Sequence, residues 1–406
     1  MTILTSIRAI VKYHFGDYFE NISEHYLNNL LILLQGLLSS RNRSISMIAS
    51  DPLNSRSHTT LTRFLNHNEP FWAELEKCFC SVISKPTNRK RIFVADDSLL
   101  DKCGKHIPFV SKAFDHCTNQ FKNAQTILTI GEVFNGLFCP IRVLFASSKT
   151  KAKAKATTKK SQQTSKNDML VNWLKENKGT HQVLIGDSWY TNSYIIEACQ
   201  NWFDFPFIGQ LKKNQKVKIG NQLMTIQTLI ASAKLNRSVQ VHDKCICYHS
   251  YEAFVQAIRN PVKIVVTKLE NGTQTALIAS DTTLSGEEII LFYAQRWSIE
   301  VFFKLAKQHL GLGDCHLRSA AGHRHYMVLV SIAYLIFNDL KAFLLKQGQD
   351  NRNKTVLDFI RLSLSLLRVT FCHEVQACFA ILNSDPTSFL CRSPGLLQEV
   401  LLSCTS

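Results

Sequence analysis

The apolar positions of this 406-residue chain change period twice. Residues 1 to 86 carry a helical repeat. "LNNLLILLQGLL" (Leu27–Leu38) reads as an amphipathic helix. "SISMIAS" (Ser44–Ser50), the breaker "DPLNSR" and "SHTTLTRFLNH" (Ser57–His67) read as two helices about a turn, with Ser57 as N-cap. The second would expose His58, Thr59, Thr62 and Arg63 and turn Leu61, Phe64 and Leu65 inward. That pattern is helix-turn-helix-like and would set a helix into a DNA major groove, although any αα-hairpin with a polar face shares it.

From Arg91 the period shortens. "RIFVADD", "QTILTIGEVF" and "LFCPIRVLFA" read as strands, "NDMLVNWLKEN" as a helix, "HQVLIGD" as a strand and "TNSYIIEACQNW" as a helix, an α/β order. Residues 205 to 284 lose the helical repeat and read mainly as strands. It returns near Ser285 and holds to Ser406.

Within that last region lies "YAQRWSIEVFFK", starting at Tyr293. On one continuous helix, Tyr293, Arg296, Glu300, Lys304 and Lys307 fall within roughly 80° of one another. Phe292, Ile299, Val301, Phe302, Phe303 and Leu305 surround them, so the stripe reads as the wall of a cleft. The plain alternative is a pair of i,i+4 charge pairs on an exposed helix, each worth about 0.2–0.5 kcal/mol.

The net charge of +16 attracts polyanions, of which nucleic acid is the commonest. Lys149–Lys166 holds seven lysines and no acid, which suits a solvated loop, a DNA contact or both. No signal peptide is visible. Asn338, Asp339 and Lys341 interrupt the apolar run Tyr326–Leu345, which therefore reads as a buried core helix rather than a membrane span. The 13 cysteines include no C-x-x-C pair. Reduced, packed thiols in the cytoplasm are expected, with no membrane partner.

Two predicted strands end in acids: Asp96 and Asp97 in "FVADDSLLDK", and Asp187 in "VLIGDSWYTN". With Glu300 they make a set of carboxylates drawn from separate segments of a basic protein. Carboxylates around a cleft suit one or two Mg²⁺ ions and, through them, phosphoryl transfer.

Two, three and six residues separate Tyr293, Arg296, Glu300 and Lys307 in turn. This spacing resembles the Y-(2)-R-(3)-E-(6)-K signature of bacterial insertion-sequence transposases of the insertion-sequence-four type, within the DDE superfamily. "DDSLLDKCGKH" and "LIGDSWY" are similar to that branch's two aspartate motifs, with Ser98 where Thr is commoner. The resemblance implies an α/β fold with an RNase H-like (retroviral-integrase-like) catalytic core, a β-strand insertion, and helical N- and C-terminal regions. The expected segments are a DNA-binding region at 1–86, the core at 87–204, the insertion at 205–284, the second part of the core with the Glu helix at 285–345, and a helical C-terminal region at 346–406.

Carried over residue by residue, the resemblance makes Asp97, Asp187 and Glu300 the catalytic, metal-binding triad for Mg²⁺, with Mn²⁺ as a substitute. Asp97 is taken over Asp96 because it precedes Ser98. Tyr293, Arg296 and Lys307 would contact the transposon end, and Trp297 would either pack near that end or belong to the core. The implied activity is cleavage at transposon ends and joining of the 3′-OH to target DNA, by a homodimer in the synaptic complex, in a nucleoid-associated cytoplasmic protein. A hydrolytic RNase H-like nuclease and a domesticated, non-catalytic DNA-binding regulator are the alternatives.

Replacing Lys151, Lys153, Lys155, Lys159 and Lys160 with Gln is expected to weaken binding to every DNA sequence alike. It should also flatten the salt dependence, since each lost phosphate contact removes about 0.9 from the log–log slope. Filter binding across a salt series measures it, and an unchanged slope would make the segment a solvated loop.

Overall fold

The computed structural model describes residues 22–346 apart from 41, 52–53, 55, 84–90, 105, 116–117, 147–164, 178–181, 204 and 257. Most of the lysine-rich run and the C-terminal region after 346 therefore lie outside the described residues. The chain divides into a helical unit, Met1–Val82 with His106–Pro108 and Leu305–Ser406, and a sheet unit, Ile83–Lys105 with Phe109–Lys304.

In the helical unit, α1 (Glu24–Ser39) departs from the amphipathic helix expected. Leu27 and every residue from Asn29 to Leu38 are buried, because neighbours cover the helix on all sides. After α2 (Ile45–Ala49), Ser57 caps α3 (His58–Asn66), its hydroxyl accepting from the Thr60 N–H at 3.2 Å. Leu61, Phe64 and Leu65 are buried while His58, Thr59 and Arg63 are exposed; Thr62 is half-buried.

The helix α4 (Glu69–Ile83) brings Trp72, which donates to the Phe64 carbonyl. Its ring stacks on His325, with centroids 5.0 Å apart. His325 lies on α5, the long helix Ala320–Lys346, along which Tyr326, Leu329, Val330, Ala333 and Phe337 are buried as a core helix requires. Among the described residues no helix is long and apolar enough to cross a membrane.

The sheet unit begins with β1 (Arg91–Asp101), β2 (Val110–Asp115), β3 (Gln120–Phe134) and β4 (Leu137–Phe145). β3 lies antiparallel between β1 on one side and β2 and β4 on the other. The helix α6 (Lys166–Glu176), closed at its N-terminus by a Ser165–Asp168 capping box, leads into β5 (Gln182–Gly186). β5 pairs parallel with β1, and its run Val183–Gly186 is buried, as a strand covered on both faces must be. The helix α7 (Ser193–Ala198), followed by a π turn at Cys199–Phe203, leads to β6 (Phe207–Gln210), parallel to β5.

The resulting order β4-β3-β1-β5-β6, with β3 alone reversed, is the RNase H-like core. Residues 207–210, read from sequence as the start of the insertion, thus form a core strand.

Beyond β6 the sheet continues through β12 (Gln274–Ala279), β11 (Val262–Leu269) and β10 (Lys244–Val255) to β7 (Lys216–Ile219) and β8 (Gln222–Thr225). The strand β9 (Arg237–Val241) pairs with β10, and the short helix α8 (Ile226–Ser232) interrupts the strands. The insertion is therefore an extension of the core sheet, joined edge to edge where β12 meets β6.

Gly131 marks a tight point of the core. It lies at the register shift between β3 and β4 and opposite Val94 of β1. A Cβ there would collide with the Cys139 carbonyl and the Phe138 ring. Gly131→Ala should lower stability by about 1–3 kcal/mol through overpacking, measured by urea denaturation. An unchanged midpoint would show that β4 yields freely.

Candidate active site

The carboxylates gather where β1 and β5 lie side by side. Their parallel register runs Val94↔Ile185 and Ala95↔Gly186, so the next step sets Asp96 against Asp187. Successive side chains of a strand point to opposite faces, which sends the neighbouring Asp97 the other way. The Asp96 carboxyl is pushed up to about 7, first by burial and then by the Asp187 charge, with Arg296 opposing the shift.

Asp187 is held by its own turn. One carboxylate oxygen accepts the N–H groups of Trp189 at 2.8 Å and Tyr190 at 3.1 Å, and the Thr191 hydroxyl donates to the Asp187 carbonyl. This is an Asx-type turn closing the end of β5.

The third acid arrives on a broken rod. Instead of the single helix expected over the signature, α9 (Gly286–Ala294) ends at Gln295 and α10 (Trp297–His309) begins after Arg296. The backbone tightens there: the N–H groups of Gln295, Arg296, Ser298 and Ile299 each bond three residues back, and the Ser298 hydroxyl takes the Gln295 carbonyl at 2.7 Å. Tyr293, Arg296 and Glu300 consequently come from one helix, the junction and the next helix. Ser285 starts α9 with a capping box to Glu288. Phe302 anchors the start of α10, fully buried with its ring 5.4 Å from Phe138 of β4.

Arg296 joins two of the acids. One terminal nitrogen lies 2.5 Å from Glu300 and the other 3.6 Å from Asp96. Expected to meet DNA, its guanidinium here faces carboxylates. Tyr293 donates to the Gln210 side chain at the end of β6, at 3.2 Å, and lies under the Arg296 guanidinium at 5.8 Å. Lys307 lies in the last turn of α10, in the helical unit. Trp297 is 65% exposed, which excludes the core role.

Asp97, expected to join Asp187 and Glu300 as a ligand, is engaged by two donors. Its carboxylate accepts from the Lys166 ammonium at 2.6 Å and the Tyr190 hydroxyl at 3.1 Å. Sequence reasoning placed Asp96 among the candidate acids but chose Asp97 over it, and it missed Lys166, Tyr190 and Gln210 as members of this neighbourhood. The period-two alternation of β1 separates Asp96 from Asp97, but only the pairing with β5 says which of them meets Asp187.

Residues 17–226, just over half of the chain, match the sequence model of the DDE superfamily endonuclease, and residues 143–336 match the transposase DDE domain. The chain belongs to the DDE endonuclease superfamily. No curated protein matches it. Among solved structures, the piggyBac transposase synaptic complex with hairpin DNA, determined by cryo-EM, is similar at 12% identity and a TM-score of 0.47. The match covers 87% of this chain and 73% of that one.

The DDE superfamily implies a divalent cation, and the donor chemistry here fits one. Asp96 and Asp187 are juxtaposed carboxylates whose mutual repulsion a cation relieves, and oxygen donors suit Mg²⁺ or Mn²⁺. Among the described residues no three acids lie together as a ready-made ligand set. Arg296 stands between two of the acids, pairing with both Glu300 and Asp96.

The raised Asp96 carboxyl has a sign. The folded protein keeps this proton to about pH 7, whereas an ordinary aspartate releases it near 3.8. Between those values the folded state binds more protons than the unfolded one, so the stability contributed below 3.8 is lost as pH rises through 7. In chelator at pH 8, Asp96→Asn should therefore be more stable than the parent by roughly 1–3 kcal/mol, with the gap closing toward pH 4. Urea denaturation at both pH values checks it. A variant less stable at pH 8 would mean that the Arg296 contact outweighs the repulsion.

Proposed function

We propose that this DDE protein is a transposase of the Y-(2)-R-(3)-E-(6)-K type that cleaves transposon ends and joins the freed 3′-OH to target DNA. The observation that carries the reading is the setting of Asp96, midway along β1, against Asp187, just past the end of the parallel strand β5, with Glu300 linked to Asp96 through Arg296. Asp96 takes the first metal-binding position that the sequence gave to Asp97, with Asp187 and Glu300 as the other two. These three residues would hold a divalent cation, Mg²⁺ or Mn²⁺, which would supply positive charge for an in-line phosphoryl displacement.

The chain's own groups do the rest. Asp187 enters the site pre-oriented, since its turn ties down one oxygen and leaves the other to a ligand. Arg296 guards the acids in the free protein. A DNA phosphate competes for its guanidinium, which would release Glu300 as the end docks. Tyr293, braced on Gln210, and Lys307 contact the end, while Lys149–Lys166 carries flanking or target DNA. No side-chain nucleophile is required, because water and then a 3′-OH attack phosphorus. Two ends held together require two copies of the chain, and the reading is of a bacterial insertion sequence acting at the nucleoid.

Glu300→Gln keeps the shape of the side chain and removes its charge. Losing a charge that holds the cation should cost several kcal/mol in the transition state, so cleavage and joining should fall at least about a thousandfold. Binding to the ends should survive. Gel shift beside Mg²⁺-dependent nicking and strand joining on the same substrate measures all three. Near-parental nicking would reduce Glu300 to half of a charge pair, and nicking without joining would mark a hydrolytic nuclease.

A further inference from the structure

The strand that carries Asp96 carries a second half-buried acid beside it, and the two have unlike surroundings. Asp96 faces another carboxylate and a guanidinium. The Asp97 carboxylate accepts from two donors, the Lys166 ammonium at 2.6 Å and the Tyr190 hydroxyl at 3.1 Å, both on the same oxygen. Neither donor is a passing surface group. Lys166 is the first residue of α6, fixed by the Ser165–Asp168 capping box, and its ammonium lies 3.9 Å from the centroid of the Trp189 ring. Tyr190 is fully buried, and its backbone N–H is one of the two that hold the Asp187 carboxylate.

We infer that Asp97 is a positioning residue that fastens the Asp187 turn and the head of α6 to β1, through Tyr190 and Lys166, and so fixes Asp187 opposite Asp96. The inference rests on the proposed carboxylate set and adds a role within it. Tyr190 is the connecting piece, with its hydroxyl on Asp97 and its backbone on Asp187. Pulling on the phenol therefore moves the turn that aims the metal-binding oxygen. Lys166 closes the assembly from the other side. It is also the last lysine of the basic run, so the point where that run enters α6 is pinned beside the acids.

A ligand and a positioning acceptor respond differently to amidation. Asn keeps one carbonyl oxygen, the same count that Asp97 uses for Lys166 and Tyr190, but it supplies no negative charge to a cation. Mn²⁺ affinity of the full chain, measured by calorimetry and by electron paramagnetic resonance without DNA, separates the two roles. Asp97→Asn is expected to bind Mn²⁺ within about threefold of the parent, and Asp97→Ala to weaken it about 10–100-fold, the usual loss when an outer partner of a ligand is removed. Tyr190→Phe should weaken it in the same direction. Asp96→Asn and Asp187→Asn should lose the site.

If Asp97→Asn loses Mn²⁺ as completely as Asp96→Asn, Asp97 is itself a ligand and the inference falls, while the carboxylate reading stands. Should Asp96→Asn and Asp187→Asn leave the affinity unchanged, the carboxylate reading falls and takes the inference with it. If Asp97→Ala does not fold, the comparison of Asp97→Asn with Asp96→Asn still decides.

Discussion

Two acids that repel each other stand side by side because parallel pairing of β1 with β5 leaves them no other position. The arrangement persists because the surrounding strands are fixed by burial that far outweighs one unfavourable pair. Val94, Ala95, Leu184 and Ile185 are all at most 1% exposed, and each buried aliphatic side chain is worth roughly 1.5–3 kcal/mol. The core thus holds one carboxylate midway along β1, which runs on to Asp101 instead of ending at its acids as the residues suggested, beside another just past the end of β5. Functional strain of this kind is expected where a charge is meant to be met by something that arrives later.

Arg296 shows how the protein lives with that strain. Its guanidinium spans Glu300 and Asp96, and it can do so because the chain breaks between α9 and α10. A straight helix would keep Arg296 and Glu300 as ordinary neighbours on one face. The tightened turn instead sets Arg296 at a junction, with Tyr293 and Gln210 bracing one side and the buried Phe302 the other. Two elements positioned independently, a strand pair and a helix junction, meet through a single cation.

Much of this was legible in the residues. The strand–helix alternation from Arg91, the N-cap at Ser57, the helix start near Ser285 and the buried run beginning at Tyr326 follow from periodicity and local hydrogen bonding, and the structure has them over its described residues. The misses have a common physical origin. The burial of α1 on all sides, the assignment of β6 to the core sheet and the meeting of Asp96 with Asp187 are all pairings between distant segments. A sequence window records which way a side chain alternates, not what lies opposite. The break at Gln295 was missed for a local reason, because a few three-residue bonds interrupt a helix without Gly or Pro.

The two aspartates of β1 make the same point about chemistry. They are adjacent, identical in type and similarly shielded, with side chains 17% and 23% exposed. Their partners divide the labour: one meets an acid, the other a lysine and a tyrosine. A carboxylate already neutralised by an ammonium at 2.6 Å has less to offer a second cation. A carboxylate pressed against another gains most from one. Alternation along a single strand is therefore enough to give a repeated residue two settings, and the β5 pairing decides which acid receives which.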